Sequence, residues 1–65
     1  MKLNLFYERE SSGWSQAFVV QYLGISQSYY CMIENGKKKN PSLQVLKRLE
    51  ELFGHSHEYL LSPRS

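Results

Sequence analysis

The sequence predicts an all-α fold, a compact bundle of about five short helices. Apolar residues recur every three or four positions, which is the spacing of one helix face. Several segments between the glycines and prolines begin at a serine, which caps helix starts well. No segment shows the strict two-residue alternation of a half-buried strand. A chain of 65 residues has the size of one small domain, and we expect that domain to span residues 1–65.

The first two predicted helices lie on either side of Gly13. We expect helix one over about residues 2–12, with Leu3 and Phe6 on its apolar side and Leu5 as a further candidate for that side. The second helix opens at Ser15, because a serine hydroxyl can accept a hydrogen bond from a free backbone N–H of the first turn. The apolar residues of this second helix are Val19, Val20 and Leu23.

The third predicted helix opens at Ser26 and ends at Asn35-Gly36, which is typical of a helix C-terminus. Tyr30 and Ile33 lie three positions apart in it and therefore share one face.

The last two predicted helices follow Ser42 and Ser56. The longer one carries an apolar stripe with three- and four-residue spacing, formed by Leu43, Leu46, Leu49, Leu52 and Phe53. The shorter one carries three consecutive apolar residues, Tyr59, Leu60 and Leu61. Successive helical side chains point about 100° apart, so at least one of these three is expected to stay exposed in a monomer.

The charge distribution places a basic loop in the middle of a chain whose net charge is only +2. Lys37, Lys38 and Lys39 are adjacent, while most acidic residues lie toward the two ends. This arrangement suggests a face for a polyanion such as nucleic acid. The alternative is that the three lysines only solvate a loop.

Composition excludes several classes of protein. Cys31 is the only cysteine, so neither an internal disulfide nor a cysteine-rich zinc site can form. His55 and His57 have no third ligand close by in the sequence, so we expect no metal and no cofactor. No apolar run approaches the ~20 residues of a membrane span, and we expect a cytoplasmic protein with no membrane partner. No catalytic constellation is evident, so we expect neither an enzyme nor a small-molecule substrate.

Residues 16–36, QAFVVQYLGISQSYYCMIENG, meet the demands of a helix-turn-helix motif. Gly24 stands in the tight turn, where such motifs often need a glycine. Ile25 can fill the angle between the two helices, and Ser26 caps the next one. The residues expected to point inward are Val19, Leu23, Ile25, Tyr30 and Ile33. Those expected to point outward are Gln27, Ser28, Tyr29, Cys31 and Met32.

This pattern resembles the lambda-repressor-like (Cro/repressor, XRE-type) helix-turn-helix family, and the likeness covers nearly the whole chain. Arg9 and the run Gly-Trp-Ser-Gln at 13–16 are similar to the family's signature ahead of its second helix. Residues 33–36, Ile-Glu-Asn-Gly, match its most recognisable tetrapeptide. Residues 40–43 and 56–61 resemble the starts of its fourth and closing helices.

A few positions depart from the family's pattern. Val20 stands where alanine is usual, Glu8 where an apolar residue is common and His55 where an aliphatic one is usual. The loop between Gly36 and Pro41 is one residue longer than in many members. We expect these departures to change the fine packing geometry and not the fold.

The resemblance implies that the third helix enters the major groove of DNA and that its first residues meet base edges. Gln27 and Ser28 occupy those places, and a glutamine amide suits the N6 and N7 atoms of adenine. Tyr29 and Met32 are expected to add contacts to bases or thymine methyl groups. The alternative is that these are only polar and apolar residues of an exposed helix face.

The resemblance also assigns residues that position the protein. We expect Gln16, Lys37, Lys38 and Asn40 to contact the DNA backbone without reading sequence. Arg9 and Glu34 resemble a family ion pair that ties helix one to the end of helix three. The alternative for this last pair is two solvated surface charges.

The function implied is that of a sequence-specific double-stranded DNA-binding transcriptional regulator, a prokaryotic or phage repressor associated with the nucleoid. Relatives commonly bind near-palindromic operators as homodimers. We expect the dimer interface at the C-terminal segment, through His55, Tyr59, Leu60 and Leu61. The alternative is a protein-interaction module, such as an antitoxin of the same fold.

Overall fold

A computed structural model of the chain describes residues 2–38 and 40–64. The described residues form five helices and no strand, with one isolated antiparallel bridge between Leu3 and Pro63. The helices are α1 (Asn4–Ser12), α2 (Gln16–Leu23), α3 (Gln27–Glu34), α4 (Leu43–Phe53) and α5 (His57–Leu60). The predicted all-α fold is therefore confirmed. None of the helices in the described part of the chain is long and apolar enough to cross a membrane.

Serine caps start four of the five helices. The hydroxyl groups of Ser15, Ser26, Ser42 and Ser56 each accept a hydrogen bond from the backbone N–H three residues later. Each bond satisfies one donor that the first helical turn leaves free, which stabilises a helix start by roughly 1 kcal/mol.

The first helix begins differently, and later than predicted. Leu3 is extended and caps α1 without any side-chain hydrogen bond. Its backbone N–H donates to the Glu34 carbonyl oxygen at 3.2 Å, and the N–H of Asn4 donates to the Ser62 carbonyl oxygen at 2.8 Å. The start of α1 is thus set by tertiary partners far along the chain, and it lies two residues after the approximate start that the sequence predicts.

The core draws on every helix. Its buried apolar residues are Leu3, Leu5, Val19, Leu23, Tyr30, Ile33, Val45, Leu49 and Leu60. Helix α2 packs against α3 and α4, and α5 packs against α1 and α4. The predicted α4 stripe was wrong at Leu43, which is 66% exposed. Val45 is buried two positions later, and helical side chains two apart point to nearly opposite sides.

The burial of Leu60 in the short helix α5 removes this residue from the expected dimer interface. Leu60 is fully buried, so it belongs to the core and cannot contact a second copy. Tyr59 and His55 are exposed, and Leu61 is half-buried. Leu60 was assigned wrongly because the sequence shows three adjacent apolar residues but not which one faces α1 and α4.

Leu60→Ala should destabilise the fold by about 2–5 kcal/mol, since it removes buried methyl groups and leaves a cavity. Leu43→Ala makes the same chemical change at an exposed site and should alter stability by no more than about 0.5 kcal/mol. Urea titrations of both variants, followed by circular dichroism, measure the difference. Equal shifts for the two variants would show that the burial of Leu60 is wrong.

Candidate nucleic-acid interface

The first turns of α2 and α3 lie side by side. Gln16 is the first residue of α2 and Gln27 the first of α3, and the Gln27 amide nitrogen donates to the Gln16 amide oxygen at 3.2 Å. The glycine between the helices, Gly24, adopts a left-handed conformation with φ of 72°, which allows the tight reversal. The N-termini of α2 and α3, each with free N–H groups and a positive dipole end, therefore lie at the same part of the surface.

Helix α3 presents a mixed polar and apolar outer face. Gln27 and Ser28 are exposed in its first turn, and Met32 is exposed one turn after Ser28. Tyr29 and Cys31 are half-buried, so they contribute less surface than the sequence suggested. The opposite face is buried and consists of Tyr30, Ile33 and Glu34.

The loop after α3 holds two lysines against the end of the helix. The backbone N–H groups of Lys37 and Lys38 both donate to the Met32 carbonyl oxygen, at 2.8 and 3.1 Å. The Lys38 ammonium lies 5.6 Å from the centre of the Tyr29 ring. Asn40, the other residue of this loop that is predicted to contact the DNA backbone, is exposed. Lys39 lies outside the described residues.

Arg9 and Glu34 form a buried ion pair that joins α1 to α3. The Arg9 Nε lies 2.6 Å from Glu34 Oε2, and both side chains are buried. The hydrogen bond to Glu34 raises the pKa of the Arg9 guanidinium above its ordinary value, although burial opposes that shift. Arg9 Nη1 also donates to the Trp14 carbonyl oxygen at 2.8 Å, which ties in the segment that leads to α2.

The Glu34 carboxylate has further donors that sequence reasoning missed. The Tyr30 hydroxyl donates to Oε2 at 2.7 Å, and the Gln16 amide nitrogen donates to Oε1 at 3.1 Å. Burial, together with the hydrogen bond to Glu34, raises the pKa of the Tyr30 phenol, so it remains a neutral donor. The sequence does indicate the Tyr30 contact, because Tyr30 and Glu34 are four residues apart on one helix and side chains with that spacing are neighbours.

The Glu34 carboxylate determines how both glutamine amides are oriented. An ionised carboxylate can only accept, so Gln16 must turn its NH₂ group toward Glu34. The Gln16 amide oxygen then faces Gln27 and can only accept, so Gln27 must also donate through its NH₂ group. Within the described part of the chain, the amide oxygen and one N–H of Gln27 have no hydrogen-bond partner, and the residue is exposed.

The residues of α2 and α3 themselves carry almost no charge. No Asp, Glu, Lys or Arg occurs between Ser11 and Ile33, and Glu34 is buried. Positive charge beside α3 comes instead from the loop that follows it, through Lys37 and Lys38. The site therefore offers neutral hydrogen-bonding and apolar groups in its middle and cations at its edge.

The two histidines tie α5 to its neighbours. His57 Nδ1 lies 2.7 Å from Glu50 Oε2, and a hydrogen bond from the His57 backbone N–H lowers the pKa of Glu50. Glu8 accepts a hydrogen bond from the Tyr59 hydroxyl at 2.8 Å and lies 3.4 Å from His55 Nε2. Among the described residues, no group of three or more His, Cys, Asp or Glu side chains could hold a metal ion.

Glu34→Gln should destabilise the fold by about 3–5 kcal/mol, because it removes the buried counter-charge of the Arg9 guanidinium, whose other carboxylate partner, Glu10, is exposed. Glu50→Gln is the matched control, since the Glu50 carboxylate is half-exposed and its partner His57 is at the surface. Thermal melts at pH 7 should show a much larger shift for Glu34→Gln. Similar shifts would mean that the ion pair contributes little to folding.

Residues 5–60 match the family model described as Helix-turn-helix, which represents the Cro/C1-type family. No curated protein and no solved structure matches the chain. The family match covers all but the two ends of the chain and includes every residue of α2, α3 and the loop after them. The expected family resemblance is thereby confirmed, and the chain belongs to the lambda-repressor-like family of helix-turn-helix DNA-binding regulators.

Proposed function

We propose that the protein is a sequence-specific transcriptional repressor of a prokaryote or phage, with no catalytic activity, which inserts α3 into the major groove of double-stranded DNA. The observation that carries this proposal is the oriented amide of Gln27. Its free oxygen and free N–H form a donor–acceptor pair at the exposed start of the helix. A group held in this way can read a base edge at little entropic cost.

Gln27 is expected to read adenine. In the major groove adenine offers the N6 amino group as a donor and N7 as an acceptor. The free oxygen of Gln27 can accept from N6, and its free N–H can donate to N7, while the second N–H stays bonded to Gln16. Guanine offers two acceptors at these places and leaves the glutamine oxygen without a donor.

The other exposed residues of α3 have supporting roles in this proposal. Ser28 can donate to or accept from a neighbouring base, and the exposed thioether of Met32 can pack against a thymine methyl. Tyr29 is half-buried beneath Lys38 and is therefore expected to contact only the edge of the groove. Cys31 adds a small neutral surface.

Backbone contacts position the motif. Lys37 and Lys38 are exposed and have their main chain bonded to the end of α3, so their ammonium groups can reach phosphates beside the groove. The side-chain amide of Asn40 can donate to a phosphate of the same DNA strand. Gln16 has its amide engaged by Glu34 and Gln27, so its phosphate contact is expected through the free N–H groups at the start of α2.

A homodimer on a near-palindromic operator completes the proposal. Tyr59 and His55 are exposed and their rings lie 4.8 Å apart, and Leu61, two positions after Tyr59, is half-buried. These three residues form the proposed interface, without Leu60. The surface they offer is small, so pairing is expected mainly on DNA, with the two recognition helices ~34 Å apart.

One observation favours the alternative of a protein-interaction module. Phe18 and Tyr22 lie four positions apart on α2 and are 45% and 40% exposed. Exposed aromatic residues on an uncharged surface are typical of the centre of a protein interface. Tight binding of a protein partner together with no retention on duplex DNA would favour this alternative.

Gln27→Ala should weaken binding to the preferred operator by about 1–3 kcal/mol and relax the preference at one base pair in each half-site. Lys38→Ala should instead weaken binding to all duplexes alike, because a phosphate contact carries no sequence information. The operator would first be obtained by selection from a random duplex pool. Titrations of both variants with that operator and with random duplex test the division of roles, which fails if the two variants behave identically.

Two copies should bind one duplex that carries both half-sites. Sedimentation of the protein with that duplex should give a two-to-one complex, and Leu61→Ser should reduce cooperativity without unfolding the protein. Leu43→Ser is the control, because Leu43 is exposed on a different helix. A strict one-to-one complex at saturating protein would contradict the proposed dimer.

A further inference from the structure

We propose that Lys2 is a further DNA-backbone contact, which the N-terminal segment places beside the basic loop that follows α3. This inference rests on the proposed DNA-binding function and adds a cation from a distant part of the chain to the surface formed by Lys37 and Lys38. Lys2 lies more than thirty residues from that loop in the sequence, so only the fold brings these cations to the same end of α3.

Three contacts dock the N-terminal segment on the end of α3. The Leu3 N–H donates to the Glu34 carbonyl oxygen at 3.2 Å. The Leu3 side chain lies against Gly36, where an added Cβ would stand 3.6 Å from a Leu3 methyl carbon. The Lys2 ammonium donates to the Asn35 side-chain oxygen at 3.0 Å. Lys2 is thus held next to the residue that caps α3, two positions before Lys37.

The Lys2 side chain keeps the capacity to bind a phosphate. Its ammonium has three donors, and the contact with Asn35 uses one of them. The ammonium also lies 4.8 Å from the centre of the Phe6 ring, a contact that restrains the side chain without occupying a donor. Lys2 is exposed, so a phosphate can reach the two remaining donors.

The charge pattern around α3 explains why this one cation matters. The stretch from Ser11 to Ile33 has no lysine or arginine, so the two helices of the motif offer phosphates only their N–H groups and positive dipole ends. The full positive charges that attract the DNA backbone lie at the edge of the site. One more cation among so few is a large fraction of the total, and its loss should be measurable.

The partner of Lys2 is a backbone phosphodiester and not a base. A single ammonium on a flexible stem is a point charge, without the paired geometry that distinguishes one base edge from another. Lys2 should therefore add affinity to every duplex and no preference among sequences. Each phosphate neutralised adds ~0.9 to the slope of log Kd against log salt concentration.

The test compares Lys2→Gln with Lys47→Gln. Both variants remove one exposed lysine charge, but Lys47 lies on the outer face of α4. Fluorescence titrations with the selected operator and with random duplex, at 50 to 200 mM salt, give the salt slope for each protein. We expect Lys2→Gln to lower the slope by ~0.9, so that the change in Kd across this range becomes about threefold smaller. Lys47→Gln should match the wild type, and Lys2→Arg should retain the wild-type slope.

Thermal melts separate a lost phosphate contact from a loosened fold. Lys2→Gln with an unchanged melting temperature and a reduced slope on both duplexes supports the inference. An unchanged slope would overturn it, as would a reduction equal to that of Lys47→Gln, while the proposed function would stand. If the wild-type protein bound no duplex at any salt concentration, the proposed function itself would fail.

Discussion

The buried carboxylate of Glu34 is the interaction on which the rest of the structure depends. It is 1% exposed and accepts hydrogen bonds from Arg9 on α1, Gln16 on α2 and Tyr30 on α3. A carboxylate without partners could not stay ionised at such a depth, because losing its hydration costs several kcal/mol. The same group that must be satisfied therefore holds three helices in one relative arrangement. Its own backbone oxygen also accepts from Leu3, which brings the N-terminal segment to the same point.

This network passes from the interior to the surface through the Gln16 amide. Because the Glu34 carboxylate can only accept, Gln16 donates to it through its NH₂ group. The exposed amide of Gln27 must then donate to the Gln16 amide oxygen. In the proposed function, stability and recognition are coupled, since weakening the carboxylate network would loosen the group proposed to read DNA. The cations lie outside the network, at Lys2 and in the loop after α3, where they are exposed to solvent.

The sequence predicts a helix boundary well when the hydrogen bonds that set the boundary are local, and poorly when they come from distant residues. Ser15, Ser26, Ser42 and Ser56 mark helix starts correctly, because each hydroxyl bonds a backbone group only three residues away. The start of α1 was predicted too early, because the partners of Leu3 and Asn4 are Glu34 and Ser62. Apolar spacing showed which segments are helical, but it placed Leu43 and Leu60 wrongly. Periodicity alone does not reveal which side of a short helix its neighbours cover.

The sequence by itself determined the fold class, the position of the helix-turn-helix motif and the family, because caps, glycine turns and apolar spacing are properties of adjacent residues. The family resemblance predicts the Arg9–Glu34 pair. Only the tertiary structure decided that Gln16 and Tyr30 share the Glu34 carboxylate, how the Gln27 amide is oriented and that Lys2 lies beside the basic loop. Apart from Tyr30 and Glu34, which are four residues apart, these pairs are separated by 11 to 33 residues. They meet because burying the apolar faces of five helices leaves one arrangement in which the buried charges are also satisfied.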